Sequence, residues 1–351
     1  MAHMDVFNDD AFNTITLSAA FERIPHKPSL LGSLPGLFDP VPVRSKTISI
    51  EQRNGVFALI QTSERGAPLQ ERANEKRDIR PFNTRRIAEG DTVNAAEIAA
   101  IRAFGSETEL MQVMAEVARR FDGPTGIQRQ IELTQENMRL GAIKGIVKDA
   151  NGDVLDNWYT NWGVAQAAEV DFALGTASTK VRGKCMTVRR QMRVAAKGSW
   201  VEGVTQVHAL AGDAFFDALI DHELVRDSYL GWVAAADLRG ALDYDVFYFG
   251  GIYWHNYRGA DTFDKDAVGG MAALGVDPDK AVFFPTNAPG VFQHIQAPAD
   301  EFIPYVGSLG QNVYGMTIPD RDRQAWVRVE AYSYPLFICT NPGMLQRAKR
   351  A

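Results

Sequence analysis

The chain has 351 residues, 46% hydrophobic and 23% charged, and its 37 Lys and Arg against 43 Asp and Glu leave a net charge of −6. A chain this long buries roughly three quarters of its unfolded surface, enough for one large domain or two to three smaller ones, and so ordinary a composition excludes a disordered chain. The mild acidity gives no global reason to seek nucleic acid, and Cys185 and Cys339, with no CxxC, exclude a disulfide framework or a zinc knuckle.

Residues 1–45 hold Pro25, Pro28, Pro35, Pro40 and Pro42 with apolar patches such as "SLLGSLPGLF" but no sustained periodicity. Proline at this density fixes extended backbone and forbids helix interiors, so the segment reads as an arm. It must lie on something, either another subunit or its own domain. From Lys46 to Gly66 two strands are expected around Asn54-Gly55, followed by a charged stretch; ten basic residues fall between Arg44 and Arg86.

Helix signals come next. Asn94 is placed to cap "AAEIAAIRAF", and Ser106 with Glu109 forms a capping box opening "ETELMQVMAEVARRF". A third helical pattern follows Gly126, with Ile127, Ile131, Met138 and Ala142 inward and Arg129, Glu132, Glu136 and Arg139 largely outward. In "AIKGIVKDANGDVLDNWYTNWG", Asn151-Gly152 predicts a hairpin closed by a type I′ turn.

"RGKCMTVRRQMRVAAKGSW" puts Cys185, Val188, Met192 and Ala195 on one helical face and Arg189, Arg190, Arg193 and Lys197 on the other. From Phe172 to Val201 there are seven basic residues and no acidic one, whereas Asp213 to Asp300 carries fourteen acidic against five basic. A basic segment joined to an acidic one suits contact between copies or with a charged partner. Residues 201–305 read as α/β material: strand "VTQVHAL", helix "AFFDALIDHELV", a second helix near "GWVAAADLRGA", then strands "YDVFYFG", "GIYWHNY" and "AVFFPT". A further strand pattern, "AWVRVEAYSYPLFICTN", follows near the end, so strands from distant parts of the chain are expected to share a sheet.

The sequence carries few motifs with chemistry. There is no GxSxG elbow, no GxxxxGK[ST] phosphate loop and no GxGxxG at a strand–helix junction, and no cofactor is expected. In "DALIDHELVRD" Asp217 and Asp221 share a helix face beside His222, Glu223 and Asp227. A metal helix of the HExxH type would need a second histidine where Arg226 stands. A metal-dependent hydrolase is therefore the weakest alternative, and a nucleic-acid or carbohydrate binding protein, using the basic helix or the aromatics of "GGIYWHNYRG", is the other. His208, His255 and His294 sit in apolar strand patterns and read as core or rim histidines, and both cysteines as buried thiols.

The order of parts is itself informative: Pro-rich arm, long charged hairpin, helical spine, NG hairpin, inserted α/β segment, terminal strands. With "RPFNTRRI", "VTQVHALAGDAFFDALIDHELVRD", "AVFFPTNAPGVFQHIQAPAD" and the ending "EAYSYPLFICTNPGMLQRAKRA", the chain resembles the major capsid proteins of lambda-like tailed bacteriophages, the phage capsid E family. The resemblance implies an α+β Hong Kong 97-type fold and a non-enzymatic shell subunit that assembles into pentamers and hexamers around a double-stranded DNA genome. It implies an N-terminal arm at 1–45, an extended loop at 46–91, a peripheral domain with a long spine helix at 92–200 and terminal strands at 306–351, and an axial domain at 201–305. In such shells the extended loop lies over the neighbouring subunit. Arg53, Glu64, Arg65, Glu71, Arg72, Glu75, Lys76, Arg77, Arg85 and Arg86 are accordingly expected at contacts between subunits. The expected partners are copies of itself, a separate scaffolding protein, a portal, a candidate decoration protein and non-specifically held packaged DNA, with no membrane. The expected location is the virion, after assembly in the host bacterial cytoplasm.

Overall fold

The computed structural model describes residues 30–53, 77–94, 117–121, 126–227, 246–257, 275–323 and 325–351. The expected helices over 95–116 and near 231–241 lie outside the described residues, as do residues 1–29 of the arm and the stretch 54–76.

A short helix α1 (Leu30–Ser33) opens the described chain, followed by β1 (Asp39–Pro42). This part of the arm packs on its own chain. Leu31 and Leu37 are buried, and the Phe38 ring meets Phe292 and Phe337 at centroid distances of 5.2 and 5.4 Å. β1 pairs in parallel with β12 (Phe292–Gln296), so the described part of the arm takes the own-domain alternative.

The next two strands, β2 (Thr47–Arg53) and β3 (Arg77–Asn83), form a two-stranded antiparallel ladder in which Thr47 faces Asn83 and Arg53 faces Arg77. The turn expected at Asn54-Gly55 lies outside the described residues. The strand that starts at Thr47 pairs with one arriving 24 positions beyond Arg53. β4 (Ile87–Asn94) then joins the sheet β13-β14-β4.

α2 (Ile127–Lys144) is the long helix of the fold. It ends on Gly145 at φ 80, whose N–H donates to Ala142 O and Gly141 O. A left-handed cap favours glycine, and here a Cβ would also fall within 2.3 Å of the Tyr159 ring. Ile127, Ile131, Met138 and Ala142 are inward as expected, but Glu136 is inward too, at 3% exposure. Polarity suggested an outward side chain; two of the partners that hold this carboxylate in the core, Leu31 and Tyr257, come from distant positions.

β5 (Ile146–Lys148) and β6 (Val154–Asn157) form the hairpin expected from Asn151-Gly152, with different turn chemistry. Gly152 has φ 90 while Asn151 is not left-handed, and Gly152 N–H donates to Asp149 O at 3.0 Å and Asp149 N–H to Asp153 O at 2.8 Å. That is a type I turn followed by a left-handed glycine rather than a type I′ turn. Asn157 then caps α3 (Trp158–Trp162), its side chain accepting from the N–H groups of Tyr159 and Thr160.

The larger sheet has the order β7-β16-β11-β8-β10-β9, built from β7 (Val170–Asp171), β8 (Gln206–Ala211), β9 (Val246–Phe249), β10 (Ile252–Asn256), β11 (Lys280–Thr286) and β16 (Gln346–Lys349). One of its faces is covered by α4 (Val181–Ala196) and α5 (Asp213–Asp221). Val181, Cys185, Val188 and Met192 of α4 and Phe215, Phe216 and Leu219 of α5 share a core with Trp254 and Phe283. Burying each large side chain here stabilises by about 1.5–3 kcal/mol. Position 195 is only half-buried, and Ala196 takes the inward place instead. This core and sheet draw on several stretches of the chain: α4 packs with Phe172 and Leu174 as well as with the 206–283 strands, and the last strand β16 pairs with β11.

The remaining strands are β12 (Phe292–Gln296), β13 (Tyr314–Pro319), β14 (Trp326–Ser333) and β15 (Pro335–Cys339), which complete the sheets β1-β12-β15 and β13-β14-β4. β4 and β14, about 240 positions apart, thus share one sheet, from Trp326 opposite Asn94 to Ser333 opposite Ile87.

Candidate functional site: surfaces for assembly

Among the described residues no group of three His, Cys, Asp or Glu side chains is placed to hold a metal ion, and no helix is long and apolar enough to cross a membrane. His222, at the centre of the acidic stretch, is buried and its Nε2 meets Thr176 O at 3.2 Å. Trp254 and His255 of the aromatic strand are buried, so the "GGIYWHNYRG" rings mostly pack inward. Both cysteines are buried thiols, and burial pushes each up to about 12. The outward features that bear on assembly fall in three parts.

The first is the β2–β3 ladder. Two strands that pair only with each other are marginal in water, and among the described residues this ladder gains no third strand. Its inner end is fastened: Phe82 packs edge-on against Trp158 at 5.4 Å and near Trp162 at 5.7 Å, while Ile79 is 62% exposed. Of the ten charged residues expected between subunits, Arg53 and Arg77 stand at the outer described end of this ladder, facing each other in register. Glu64, Arg65, Glu71, Arg72, Glu75 and Lys76 lie outside the described residues.

Arg85 and Arg86 have partners on their own chain. Arg85 Nη2 donates to Leu155 O at 2.8 Å and to the Asp156 carboxylate at 3.3 Å, tying the foot of the ladder to β6. Arg86 Nε donates to Glu301 Oε1 at 2.5 Å, and its guanidinium lies 5.1 Å from the Tyr332 ring centre. Tyr334 O–H donates to the same Glu301 oxygen at 2.7 Å. Burial acts to raise Glu301, but the hydrogen bonds from Tyr334 and Arg86 outweigh it and hold the carboxyl below its ordinary range. These two arginines therefore fix the base of the arm, a role that their place in a charged run did not reveal.

The second surface was missed in the sequence. Between Phe302 and Gly310 the chain makes a tight loop whose backbone is pinned at several points. Arg44 Nη1 donates to Gly307 O at 3.1 Å, Gly310 N–H to Val43 O at 2.9 Å, and the Tyr305 ring meets Tyr314 at 4.8 Å. A Cβ on Gly310 would sit 1.9 Å from Gln296 O, which requires glycine at this approach. On this fixed loop Ile303 is 91% exposed, Val306 64% and Leu309 51%. Apolar side chains facing water on a pinned backbone make this loop a candidate interaction surface. The available signal was "FIPYVGSLG", apolar residues set among turn formers with no periodicity to place them inward.

The third is the outer face of α4, where Arg182 and Arg190 are exposed beside Met186 and Val194. Arg193 is drawn off this face by Glu202 and lies 5.4 Å from the Trp200 ring centre.

Comparison with known proteins agrees with a molecule whose chemistry lies in its surfaces. The family model for phage major capsid protein E matches residues 13–350. The major capsid protein of Salmonella phage Felix O1 is 24% identical over 94% of this chain and 94% of its own length, and that of Pseudomonas phage KPP10 is 25% identical over 81% and 82%. Among solved structures, the mature capsid of bacteriophage PhiM1 aligns at a TM-score of 0.50 and 15% identity over 93% of this chain and 90% of that one. The capsid of cyanophage P-SCSP1u aligns at 0.51 and 9% over 94% of each. The architecture is thus the α+β Hong Kong 97-type fold of tailed-phage capsids. With a family match over nearly all its length, the chain belongs to the phage major capsid protein E family and is a structural subunit of an icosahedral capsid shell.

Proposed function

We propose that the subunit assembles into rings of five and six copies that close the head shell around double-stranded DNA, without a catalytic role of its own. The carrying observation is the β2–β3 ladder, which is fastened at its base by Phe82 and Arg85 yet lacks a third strand among the described residues. In a ring each copy gives its arm to the next and receives one from the previous, so every copy's exposed ladder gains a surface. Contacts that are weak singly become strong when closure repeats them many times.

The charged stretch 53–77 serves this reading as a register device, because rim charges select partner and orientation more than they add affinity. Assembly takes place in the host bacterial cytoplasm with a separate scaffolding protein and a portal, and a decoration protein on the expanded shell is a further candidate. Packaged DNA is confined rather than read. Negative-stain microscopy and sedimentation of the expressed full chain test the reading. Rings and shells are expected, and a chain that stays monomeric even with its scaffold would overturn it.

A further inference from the structure

Two helix faces on the same side of the six-stranded sheet carry opposite charge. On α4, Arg182, Met186, Arg190 and Val194 recur every four residues and so form one stripe along the helix, and Lys197 extends it at the C-terminus. Val194 is 81% exposed and Met186 37%. On α5, Asp217 and Asp221 are four apart on the outward face beside Ile220, and Glu223 and Asp227 are exposed in the helical turn that follows. Each face is thus a charged surface with a small apolar centre, basic on one helix and acidic on the other.

Neither face is neutralised by the described residues. Among the described residues, Arg182, Arg190, Lys197, Asp217, Asp221 and Glu223 make no ion pair, although α4 and α5 are packed into one core. We propose that the α4 stripe of one copy docks on the α5 face of the next, forming a head-to-tail contact between adjacent subunits. This deepens the shell reading and rests on it.

Complementary charge and shape class favour this occupant over a nucleic acid. A duplex approaching α4 would meet the α5 carboxylates on the same side of the sheet and be repelled, whereas a second copy satisfies both faces at once. The faces differ, so the contact is heterologous: each copy uses one face as donor and the other as receiver, which is the arrangement that closes rings. Exposed ion pairs are individually weak and screened by salt, so the contact acts mainly in orientation and is weakened at high ionic strength.

Charge reversal separates this contact from assembly in general. In the full chain, Arg190→Glu with Lys197→Glu, and separately Asp217→Lys with Asp221→Lys, should each raise the protein concentration needed for assembly by about tenfold, since two or three exposed pairs are lost and replaced by repulsion. Combining all four substitutions restores complementarity in reversed sense and should return that concentration to within about threefold of the parent. Normal assembly of either two-site variant overturns the proposal, as does a combined variant no better than its halves. An α4 reversal that assembles normally but packages less DNA also overturns it, in favour of nucleic acid. If the parent chain never assembles, the shell reading fails on its own, and oxidation of an Arg190→Cys/Asp217→Cys variant still decides the contact. A ladder of cross-linked oligomers is expected, and monomer alone overturns it.

Discussion

Nδ1 of His208 and Nε2 of His255 lie 2.9 Å apart, their rings stacked at a centroid distance of 5.2 Å, where β8 runs beside β10. One ring donates and the other accepts, so at least one must be neutral. Burial, with the neighbouring histidine's charge as a second cause, lowers His208 to about 4, and burial lowers His255 to about 4. An exposed imidazole titrates near ~6.5. Between these values the unfolded chain binds more protons than the folded one, so the stability held by the neutral pair is complete above about pH 6.5 and is lost as pH falls through about 4. His294, lowered to about 3 by burial and then by Arg139, adds loss in the same direction. Urea midpoints measured from pH 7 to pH 4 should fall, and His208→Asn with His255→Asn should flatten the fall while lowering stability at pH 7. An unchanged slope would show that the pair is not the group that titrates.

Glu136 is the second buried polar centre, and its loss should be costly. Oε1 accepts from Leu31 N–H at 2.9 Å and from Tyr257 O–H at 3.4 Å, and Oε2 accepts from Arg139 at 3.4 Å. Removing the carboxylate leaves a guanidinium, which burial already lowers from its ordinary value, in the core with its main charge partner gone. Glu136→Ala should lose about 3–5 kcal/mol in urea unfolding and expose the 30–38 segment to protease, because the same carboxylate anchors α1. Glu136→Gln keeps an acceptor for Leu31 N–H, so it should lose less and protect the segment better.

These two centres mark the limit of what the sequence discloses. Elements with their own period were legible: the buried stripe of α4 repeats at helical spacing, and Asn151-Gly152 marked the β5–β6 hairpin. The turn type was not, because a type I turn with a following left-handed glycine also ends in Asn-Gly, and differs from a type I′ turn in closing at Asp149 opposite Asp153 and in the φ of Asn151. Pairings set by distant partners were hidden for a different reason. Glu136 is inward because Leu31, 105 positions away, donates to it, and Arg53 faces Arg77, 24 positions on. On the assembly surface, the charge of Arg85 and Arg86 was plain, but their own-chain partners Asp156 and Glu301 come from elements far along the chain.

The register of β2 and β3 sharpens the test of the arm. Replacing 54–76 by a two-residue Asn-Gly turn joins Arg53 to Arg77, residues that already face each other, so the shortened ladder keeps its base. Phe82 against Trp158 and Arg85 against Asp156 are untouched. The variant should keep the parent's denaturation midpoint and sediment as free subunits or open aggregates instead of closed shells. Normal shells would show that the 54–76 stretch is not an assembly contact.

The loop at 303–309 separates folding from assembly most cleanly. Ile303, Val306 and Leu309 are largely in water, so changing all three to Ser removes little buried area within the subunit, and substitutions of such surface residues usually fall within about 0.5 kcal/mol. The loop backbone should hold, since Arg44 to Gly307 O, Gly310 N–H to Val43 O and the Tyr305–Tyr314 contact do not involve the altered side chains. If the three side chains are covered in the shell, each contributes about 1.5–3 kcal/mol at full burial, and that loss recurs at every copy. The triple variant should therefore unfold in urea like the parent yet fail to form shells at concentrations where the parent assembles. Equal assembly of parent and variant, measured by sedimentation, would show that the loop faces solvent in the shell as it does in the free subunit.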